Sequence, residues 1–596
     1  MYPRMSRYRR PGAVVTLVAG LLAGAAVRAA TPASADLILV NGVVLTEDAA
    51  DRTAEAIAIR DGRILAVGSN TEIRAYAGRQ TRQIDLHGRT VTPGLIDSHA
   101  HLLEGGLNTI ITVDLGDAST IEEVRGRVRQ RAKTLKPGQW LLGSGWDEGK
   151  LREGRYIHAA DLDDVAPANP VWLVHTTGHY GVANSQALRT ANITKATADP
   201  PASTIDRDIS GVPTGVLKEA AAMTLVERHI PAPTAADLRR GIVAGLALLH
   251  SEGMTAVKDP NLMPAEWDAY LAVARAGKLN AHVCALLHSD PSMEAAHALA
   301  ARLKALPAPP RAVAPNLVAC GVKMFMDGSG GGRTAWMYDD WNRERTNVDS
   351  GNKGYPALDP TLYRNIVRFY NDAGIHIGTH AIGDRAIDWV VDSYSEALAA
   401  KPTRGLRHAI IHANTPTDHA IDVMARLQKD YDAGYPETQA PFTWWIGDNY
   451  AGNLGAGRAL RLNPYATYLE KGIRWGGGSD YSVTPLPARF GLWSSVERRT
   501  LNGTYGPQPF GTKEGVTAAV ALRSYTTWAA HQLFLDDEAG SLEAGKSADL
   551  AIWDDNPLTV ASARLRDLHC LMTVFRGQVV YQDARADLQL TAPGRH

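Results

Sequence analysis

Eight short apolar runs alternate with helical stretches between residues 91 and 480, and this alternation constrains the fold most. Apolar runs of strand length separated by helices predict a parallel α/β sheet, and eight of them predict a closed (β/α)8 barrel. Helical periodicity is clearest in Leu238–His250, Leu362–Asn371 and Ala386–Leu398. The predicted strands are Val91–Asp97, Met254–Asp259, Ala281–Leu287, Val322–Asp327, Ile375–His380, His408–His412, Thr438–Phe442 and Ile473–Asp480.

Three parts of the chain lie outside this alternation. Residues 103–238 are too long for one crossover, so we expect an insertion after the first barrel strand. Both chain ends carry short β-like runs, for example Leu37–Val40 and Leu550–Trp553. We therefore predict an α/β protein with a TIM-like barrel over residues 91–535 and a composite β-sandwich domain formed by residues 36–90 and 536–596.

The first 35 residues have the pattern of an export signal. Four arginines within the first ten residues precede an uncharged run from Gly12 to Val27, and small residues follow up to Ala35. The run is shorter than the ~20 residues needed to span a bilayer, which favours a cleaved signal peptide over an uncleaved anchor. The sequence thus predicts a periplasmic or secreted protein that begins near Asp36 and has no stable membrane span after signal removal.

The net charge and the cysteine content limit which partners the protein can have and which side chains can bind a metal. The chain has 62 Lys and Arg residues against 63 Asp and Glu residues, a formal charge of -1, so nucleic acid is not an expected partner. Three cysteines cannot build a disulfide framework or a four-thiolate zinc site. Any metal must be held by His, Asp, Glu or modified side chains. The sequence is compatible with a homo-oligomer.

His99 and His101 are the first candidate metal ligands. They follow Pro93-Gly94 and the apolar run that ends at Asp97. Residues i and i+2 of an extended chain project to one side, so both imidazoles can bind one ion. A lone His-x-His is a weak signal, but the carboxyl end of a barrel strand is where barrel active sites lie.

Further ligand types occur in or at the ends of other predicted strands. Lys323 is a charged residue inside an apolar run, and His380, His412 and Asp480 each end a run. Neutral imidazoles and a carboxylate suit zinc or another divalent ion. His376 also faces the barrel side and is the alternative ligand, although we assign it a structural role.

The motifs of this chain and their order resemble those of the amidohydrolase superfamily of metal-dependent hydrolases. The resemblance is strongest to the group of N-substituted formamide deformylases, amidohydrolase family 3. The resemblance extends from Asp36 to about Tyr581. It rests on residues 93–101, 175–179 with 183–185, 322–323 with 327–328, 380–384, 478–480 and 540–550.

The resemblance implies the barrel, the composite β-domain and one or two divalent ions. His99, His101 and Asp480 would bind one ion, and His380 and His412 a second. Lys323 would bridge the two if carboxylated, since a free ammonium group cannot be a ligand. Relatives commonly have Glu before the histidine of the sixth strand, where this chain has Ile411. That difference weakens the expectation of a second ion.

The resemblance also implies a mechanism. A zinc-like ion lowers the pKa of bound water to about 7, which supplies hydroxide at neutral pH, and polarises the scissile carbonyl. Asp480 would transfer the proton from that water to the leaving amine. His179 is the candidate for binding the substrate carbonyl. The candidate substrate contacts are His175, Trp146 and Trp444.

The predicted function is hydrolysis of a non-peptide carbon–nitrogen bond in a small-molecule amide, most simply an N-substituted formamide. An ester hydrolase and a deaminase are the alternatives on the same scaffold. A non-catalytic exported binding protein is the alternative from another class, although the complete set of ligand types argues against it.

Overall fold

The computed structural model describes residues 34–342, 351–503 and 511–591. The predicted signal peptide therefore lies outside the described residues, apart from its last two positions. Within the described ranges no helix combines the length and apolarity needed to cross a membrane.

Eight parallel strands form the central sheet, and they are hydrogen-bonded in chain order. The backbone N–H of Ser98, just after the first strand, donates to the carbonyl of Gly477 in the last at 2.9 Å. This contact joins the two ends of the sheet and confirms the predicted barrel. The strands are β1 (Leu95–Asp97), β2 (Met254–Leu262), β3 (His282–His288), β4 (Leu317–Phe325), β5 (His376–Ala381), β6 (Ala409–His412), β7 (Tyr435–Thr438) and β8 (Gly476–Gly477).

The last two strands differ from the sequence prediction. β7 ends at Thr438, and Phe442 lies in the helix Pro441–Trp445 that follows. Pro441 has no N–H for a strand ladder but suits the first turn of a helix. β8 is only two glycines long, and the first of them is required by close packing, since a Cβ on Gly476 would lie 2.7 Å from Ser98 Cβ. The apolar residues before it are buried without joining the ladder.

Long helices surround the barrel and alternate with its strands. Thr234 caps the first of them by accepting the N–H of Asp237, an interaction that contributes ~1 kcal/mol. Their apolar faces pack on the sheet, as Ile366, Val367 and Tyr370 do. The helices are Ala235–Ser251, Pro264–Arg275, Met293–Lys304, Pro360–Asp372, Asp384–Ala400, Asp418–Tyr431 and Ala488–Glu497.

The remaining helices lie in the connections, in the insertion and in the composite domain. These α-helices are Asn70–Arg74, Leu102–Ile111, Ile121–Ala132, Ala159–Leu162, Ser185–Thr190, Ala220–Glu227, Pro441–Trp445, Gly447–Leu454, Ala456–Ala459, Tyr465–Glu470, Ala518–Ser524 and Thr527–Gln532, and the 3-10 helices are Thr512–Glu514 and Ser562–Asp567.

The predicted insertion after β1 is confirmed as a six-stranded sheet with its own apolar core. It is attached to the barrel mouth by Thr176, whose hydroxyl donates to the carbonyl of Val483 at 2.6 Å. A second contact comes from the barrel side, where the side-chain amide of Asn449 donates a hydrogen bond to the carboxylate of Glu148 at 3.2 Å. In sheet order the strands are Thr204–Arg207, Pro213–Lys218, Tyr180–Ala183, Val171–His175, Leu141–Trp146 and Val113–Asp114.

Both chain ends contribute to two further sheets, which confirms the composite β-domain. Ile552 pairs with Val91 across an antiparallel ladder, so the C-terminal strands are held next to the strand that leads into β1. The first sheet contains Leu590–Thr591, Arg82–Asp85, Leu37–Val40, Ala56–Arg60 and Arg63–Gly68, and the second Gln578–Gln582, Cys570–Phe575, Leu550–Trp553, Thr90–Pro93, Val43–Leu45 and Thr53–Ala54.

The predicted first barrel strand is thereby divided into two. Thr90–Pro93 belongs to the composite domain, and β1 begins at Leu95. Gly94 lies between them, and a Cβ there would come within 2.2 Å of the Thr255 hydroxyl. Only a residue without a side chain allows the chain to pass this close to β2. Deeper in the barrel wall, a disulfide joins Cys284 of β3 to Cys320 of β4.

Candidate metal centre and active site

His99, His101 and Asp480 converge at the mouth of the barrel. The Nε2 atoms of His99 and His101 lie 3.4 Å and 3.3 Å from the same oxygen of Asp480. Their candidate ligand atoms all lie within 4.8 Å of one another. β1 and β8 are neighbours in the ring, which is why residues almost 400 positions apart meet here.

Asp97 holds the two ligand-bearing loops together. Its carboxylate accepts the backbone N–H of His99 at 2.9 Å and the hydroxyl of Ser479 at 2.6 Å. Burial raises the pKa of Asp97 to about 7, although these hydrogen bonds act in the opposite direction. The geometry of the ligand group therefore depends on a residue that the sequence analysis did not assign to the site.

His99 provides the test of whether these residues fit a metal. The side chain is fully buried, and neither ring nitrogen has a hydrogen-bond partner. An unsatisfied buried polar group costs about 1–3 kcal/mol, so natural proteins rarely leave one without a function. Burial, followed by the charge of Lys323, lowers the pKa of His99, which keeps the imidazole in the neutral form that binds metals. The donor set fits a zinc-like divalent ion.

His380 and His412 lie beside this group. His412 Nδ1 is 3.9 Å from the second oxygen of Asp480, and His412 Nε2 is 3.0 Å from His380 Nδ1. Burial lowers the pKa of both histidines well below its usual value, so both are neutral. The structure thus brings four predicted histidine ligands and the carboxylate together.

Lys323 lines the same cavity, which has a volume of about 60 Å³ and is also lined by His101, His380, His412 and Asp480. Its side chain is buried, and burial lowers the pKa of its amine to about 8. A larger share of neutral amine is therefore present at neutral pH than for an exposed lysine. Only the neutral amine is nucleophilic enough to take up carbon dioxide.

Gln439 supplies the polar contact that orients the ring of His412. Its side-chain oxygen is 2.7 Å from His412 Nδ1. This contact orients the imidazole so that Nε2 faces His380. Ile411, the residue before His412, is directed into an apolar cluster of the barrel. A sequence pattern cannot reveal the contact because the orienting group comes from the loop after β7.

Glu437 and Lys258 form a buried ion pair at the barrel interior that the sequence analysis missed. The two side chains are fully buried and in direct contact. The other oxygen of Glu437 lies 3.7 Å from His99 Nδ1. Burial raises the pKa of Glu437, but the charge of Lys258 outweighs it and brings the value to about 2. Lys258 could have been recognised from the sequence, because it is a charged residue inside an apolar run, as Lys323 is.

His179 lies at the cavity on the insertion side. Its Nδ1 is 3.0 Å from a carboxylate oxygen of Glu219, and the other oxygen of Glu219 accepts the hydroxyl of Thr334. Burial lowers the pKa of His179, but the charge of Glu219 and its hydrogen bond outweigh burial, so the pKa is raised. Glu219 had no recognisable sequence signal, because it follows a strand of the insertion with no motif around it.

Three predicted substrate contacts do not line this cavity. His175 contacts Glu148 and Tyr180 within the insertion, and Trp146 is buried in the insertion core. Trp444 packs against other aromatic rings. A role for them in substrate binding stays a prediction. The aromatic residues that do line the cavity are Phe325, Phe442 and Tyr450.

His376, the alternative ligand, does not line the cavity either. Its Nδ1 lies 2.9 Å from the carbonyl of Leu406. Asp327 fixes the loop after β5, since it accepts the backbone N–H groups of Ile382 and Gly383 at 3.1 Å and 2.8 Å. His380 lies in β5 itself, and its Nε2 is 3.0 Å from the carbonyl oxygen of Gly328.

Comparisons with known proteins agree with this geometry. Protein LONG AFTER FAR-RED 3 of Arabidopsis thaliana is 31% identical over 89% of this chain and 90% of its own length. The N-substituted formamide deformylase of Arthrobacter pascens is 30% identical over 92% of this chain and 98% of its own. The crystal structure of an uncharacterized metal-dependent hydrolase from Pyrococcus furiosus has a TM-score of 0.64 and 25% identity, over 88% of this chain and all of that one. The profile of the amidohydrolase family matches residues 82–581. With its converging histidines and carboxylate, the chain belongs to the amidohydrolase family and is a metal-dependent hydrolase.

Proposed function

We propose that this enzyme hydrolyses a carbon–nitrogen bond other than a peptide bond in a small amide, most simply an N-substituted formamide. The observation that carries the proposal is the convergence of His99 and His101 on one oxygen of Asp480. The similarity to the N-substituted formamide deformylase extends over 98% of that enzyme and supports the choice of substrate.

The residues divide into two groups of ligands. His99, His101 and Asp480 would hold one divalent ion, zinc in the simplest case. His380 and His412 would hold a second, and a carboxylated Lys323 would connect the two positions. A bound divalent ion of this kind lowers the pKa of water and polarises a carbonyl oxygen.

Asp480 is the proposed proton carrier. Burial raises the pKa of this carboxylate, but its close contacts with the imidazoles of His101 and His99 outweigh burial and hold the pKa well below its usual value. The group is therefore an anion at neutral pH. It would accept the proton of the attacking water and deliver it to the nitrogen of the departing amine.

His179 is the proposed group that holds the substrate carbonyl oxygen. Glu219 binds Nδ1 and thereby leaves Nε2 free to donate into the cavity. Because Glu219 raises the pKa of His179, a larger fraction of the imidazole is protonated at neutral pH. A protonated donor stabilises the negative charge that develops on this oxygen.

We also propose that the enzyme is exported to the periplasm or the medium and acts there on a small-molecule amide rather than on nucleic acid. The basic start of the chain and its short uncharged run support export.

Metal analysis of the purified protein combined with an amide panel tests the proposed function. We expect one or two divalent ions per chain, hydrolysis of at least one N-substituted formamide, loss of activity with a chelator and recovery with zinc. Anilides, cyclic amides and esters in the same panel separate the alternative hydrolases. A protein that binds no metal and hydrolyses none of these compounds would favour the binding-protein alternative.

A further inference from the structure

Strand β4 contains one residue more than its neighbour β3 can pair with. Ala285 of β3 pairs with Ala319. The next residue of β3, Leu286, pairs with Gly321. Cys320 is therefore skipped by this ladder, and the ladder between β4 and β5 begins only at Gly321. An extra residue of this kind is a β-bulge, and bulges next to active sites redirect side chains.

The side chains of β4 change face at this bulge. Before it, Val318 and Cys320 point into the apolar cluster inside the barrel, which also contains residues of β1, β2, β3 and β6. After it, Val322 packs in the cluster of the surrounding helices. Lys323 and Phe325 line the catalytic cavity. Even-numbered positions thus face inward before the bulge, and odd-numbered positions face inward after it.

Lys323 faces the cavity because of this change. Side chains of a regular strand alternate between the two faces of the sheet, so a shift by one residue sends each of them to the opposite face. With Cys320 directed inward, a regular strand would direct Lys323 outward to the helices. The bulge therefore places the Lys323 amine beside the histidine and aspartate ligands.

The disulfide holds the extra residue in place. Cys284, the partner of Cys320, lies opposite Val318 in β3 and faces the same interior cluster. The bond therefore ties the residue that the ladders skip to the neighbouring strand. Gly321 completes the bulge, because a Cβ there would overlap the carbonyl oxygen of His376 in β5. The crosslink thus fixes the point at which the side chains change face.

We propose that the disulfide between Cys284 and Cys320 positions Lys323 for carboxylation and metal binding. The inference rests on the proposed function, in which a carboxylated Lys323 connects two divalent ions. Carboxylation forms a bond between the neutral amine nitrogen and the carbon of carbon dioxide and releases one proton. The two cysteines act through Lys323 and are positioning residues, since neither lines the catalytic cavity.

Two variants without the disulfide separate positioning from general stabilisation. Cys284→Ala with Cys320→Ala keeps the extra residue but removes the crosslink that fixes it. Cys284→Ala with deletion of Cys320 removes the extra residue as well, so regular alternation alone directs Lys323 to the cavity. Cys570→Ala is the control, because it replaces the buried free cysteine in a strand of the composite domain.

The main readouts are the carbon-13 NMR signal of the carbamate in full-length protein equilibrated with labelled bicarbonate, and the affinity for zinc. Lys323→Met identifies the signal by its loss. We expect the double alanine variant to lose at least half of the signal and to bind the second zinc ion about tenfold more weakly or worse. The deletion variant and Cys570→Ala should match the wild type. An unchanged signal in the double alanine variant, or a folded deletion variant that is equally impaired, would overturn the proposal.

Hydrogen exchange covers the case in which the wild-type protein carries no carbamate, because it needs neither metal nor turnover. We expect the β4 amides to exchange about tenfold faster in the double alanine variant than in the wild type, and the deletion to restore slow exchange. Equal exchange in the double alanine variant and the wild type would reject the positioning role. The expected exchange pattern in a wild type without carbamate would support that role and refute the carboxylation of Lys323.

Circular dichroism shows whether each variant is folded. If the deletion variant does not fold, the double alanine variant is compared with Cys570→Ala alone. Loss of carbamate signal and faster β4 exchange only in the double alanine variant would then support the proposal. Equal values in these two variants would overturn it, and the amide panel tests hydrolysis separately.

Discussion

At the scale of single residues, the site depends on charges that are buried in pairs. Lys258 and Glu437 are both fully buried and compensate each other, while the free oxygen of Glu437 faces His99. A carboxylate next to the non-ligating nitrogen fixes the tautomer and the orientation of a metal-binding imidazole. The ion pair therefore contributes to metal binding rather than to net stability, since buried pairs seldom gain stability over apolar residues.

Glu437→Gln tests this role. The change leaves Lys258 without its counter-charge, so we expect a loss of about 3–5 kcal/mol in the free energy of unfolding and a metal affinity about 10- to 100-fold lower. Lys258→Met combined with Glu437→Gln removes the uncompensated charge and should recover stability but not metal affinity. Urea denaturation and competition with a chromophoric chelator measure the two quantities. Wild-type metal affinity in the double variant would contradict the role of Glu437.

Asp480→Asn tests the proton carrier. The amide keeps the shape of the side chain but cannot accept a proton, so kcat should fall by about 10²- to 10⁴-fold or more. Circular dichroism should show an unchanged fold. A kcat near the wild-type value on an identified substrate would refute the proposed role of Asp480.

Glu219→Gln tests the charge state of His179. A raised pKa means that the protonated form is present at lower pH and is lost as pH rises through that pKa. If the protonated form binds the carbonyl, kcat/KM falls on the alkaline side of its pH profile. Without the Glu219 charge, the pKa of His179 decreases and this alkaline limb moves to lower pH. A limb that stays in place would show that His179 acts in its neutral form or has no role.

Residue patterns identified the ligand types but not the groups that orient them. His99, His101, His380, His412 and Asp480 all occur at the ends of apolar runs, and barrel geometry brings strand ends together. Glu219 and Gln439 reach the site from the insertion and from the loop after β7. No local pattern marks such residues, because their function depends on contacts between segments that only the tertiary structure brings together.

At the scale of secondary-structure elements, close helix packing positions one of the ligands. The helix Leu102–Ile111 begins directly after His101 and packs on Ala235–Ser251 through glycines. A Cβ on Gly106 would lie 2.1 Å from the carbonyl of Gly241. The close approach of the two helices therefore determines where His101 lies.

Gly106→Ala and Gly126→Ala form a matched pair of helical substitutions. Gly106→Ala forces the two helices apart and should lower the free energy of unfolding by about 1–3 kcal/mol and weaken metal binding. A Cβ on Gly126 in the helix Ile121–Ala132 meets nothing within 4 Å, so Gly126→Ala should raise stability by about 0.5–1 kcal/mol. Urea denaturation measures both. Equal effects of the two substitutions would contradict the packing argument.

Strand prediction was most accurate at β2 and β4. Met254–Leu262 and Leu317–Phe325 contain the predicted strands almost entirely. Prediction was poorer at β7 and β8, where Pro441 starts a helix and two glycines make up the whole strand. Burial gives an apolar signal whether or not the backbone joins a ladder, so hydrophobicity alone cannot place these boundaries.

At the scale of the whole molecule, both chain ends stabilise the start of the barrel. The C-terminal strand Leu550–Trp553 pairs with Thr90–Pro93, which leads through Gly94 into β1 and the first two ligands. The sequence predicted this composite domain from matching β-like textures at the two ends. It could not predict the strand order, because pairing between segments more than 400 residues apart leaves no local signal.

Anomalous diffraction at the zinc absorption edge, from crystals of the purified enzyme grown with zinc, tests the central claim most directly. The account predicts a strong peak about 2.0–2.2 Å from the Nε2 atoms of His99 and His101 and from a carboxylate oxygen of Asp480. A map with no peak between these three side chains, or with zinc bound only elsewhere, would contradict it.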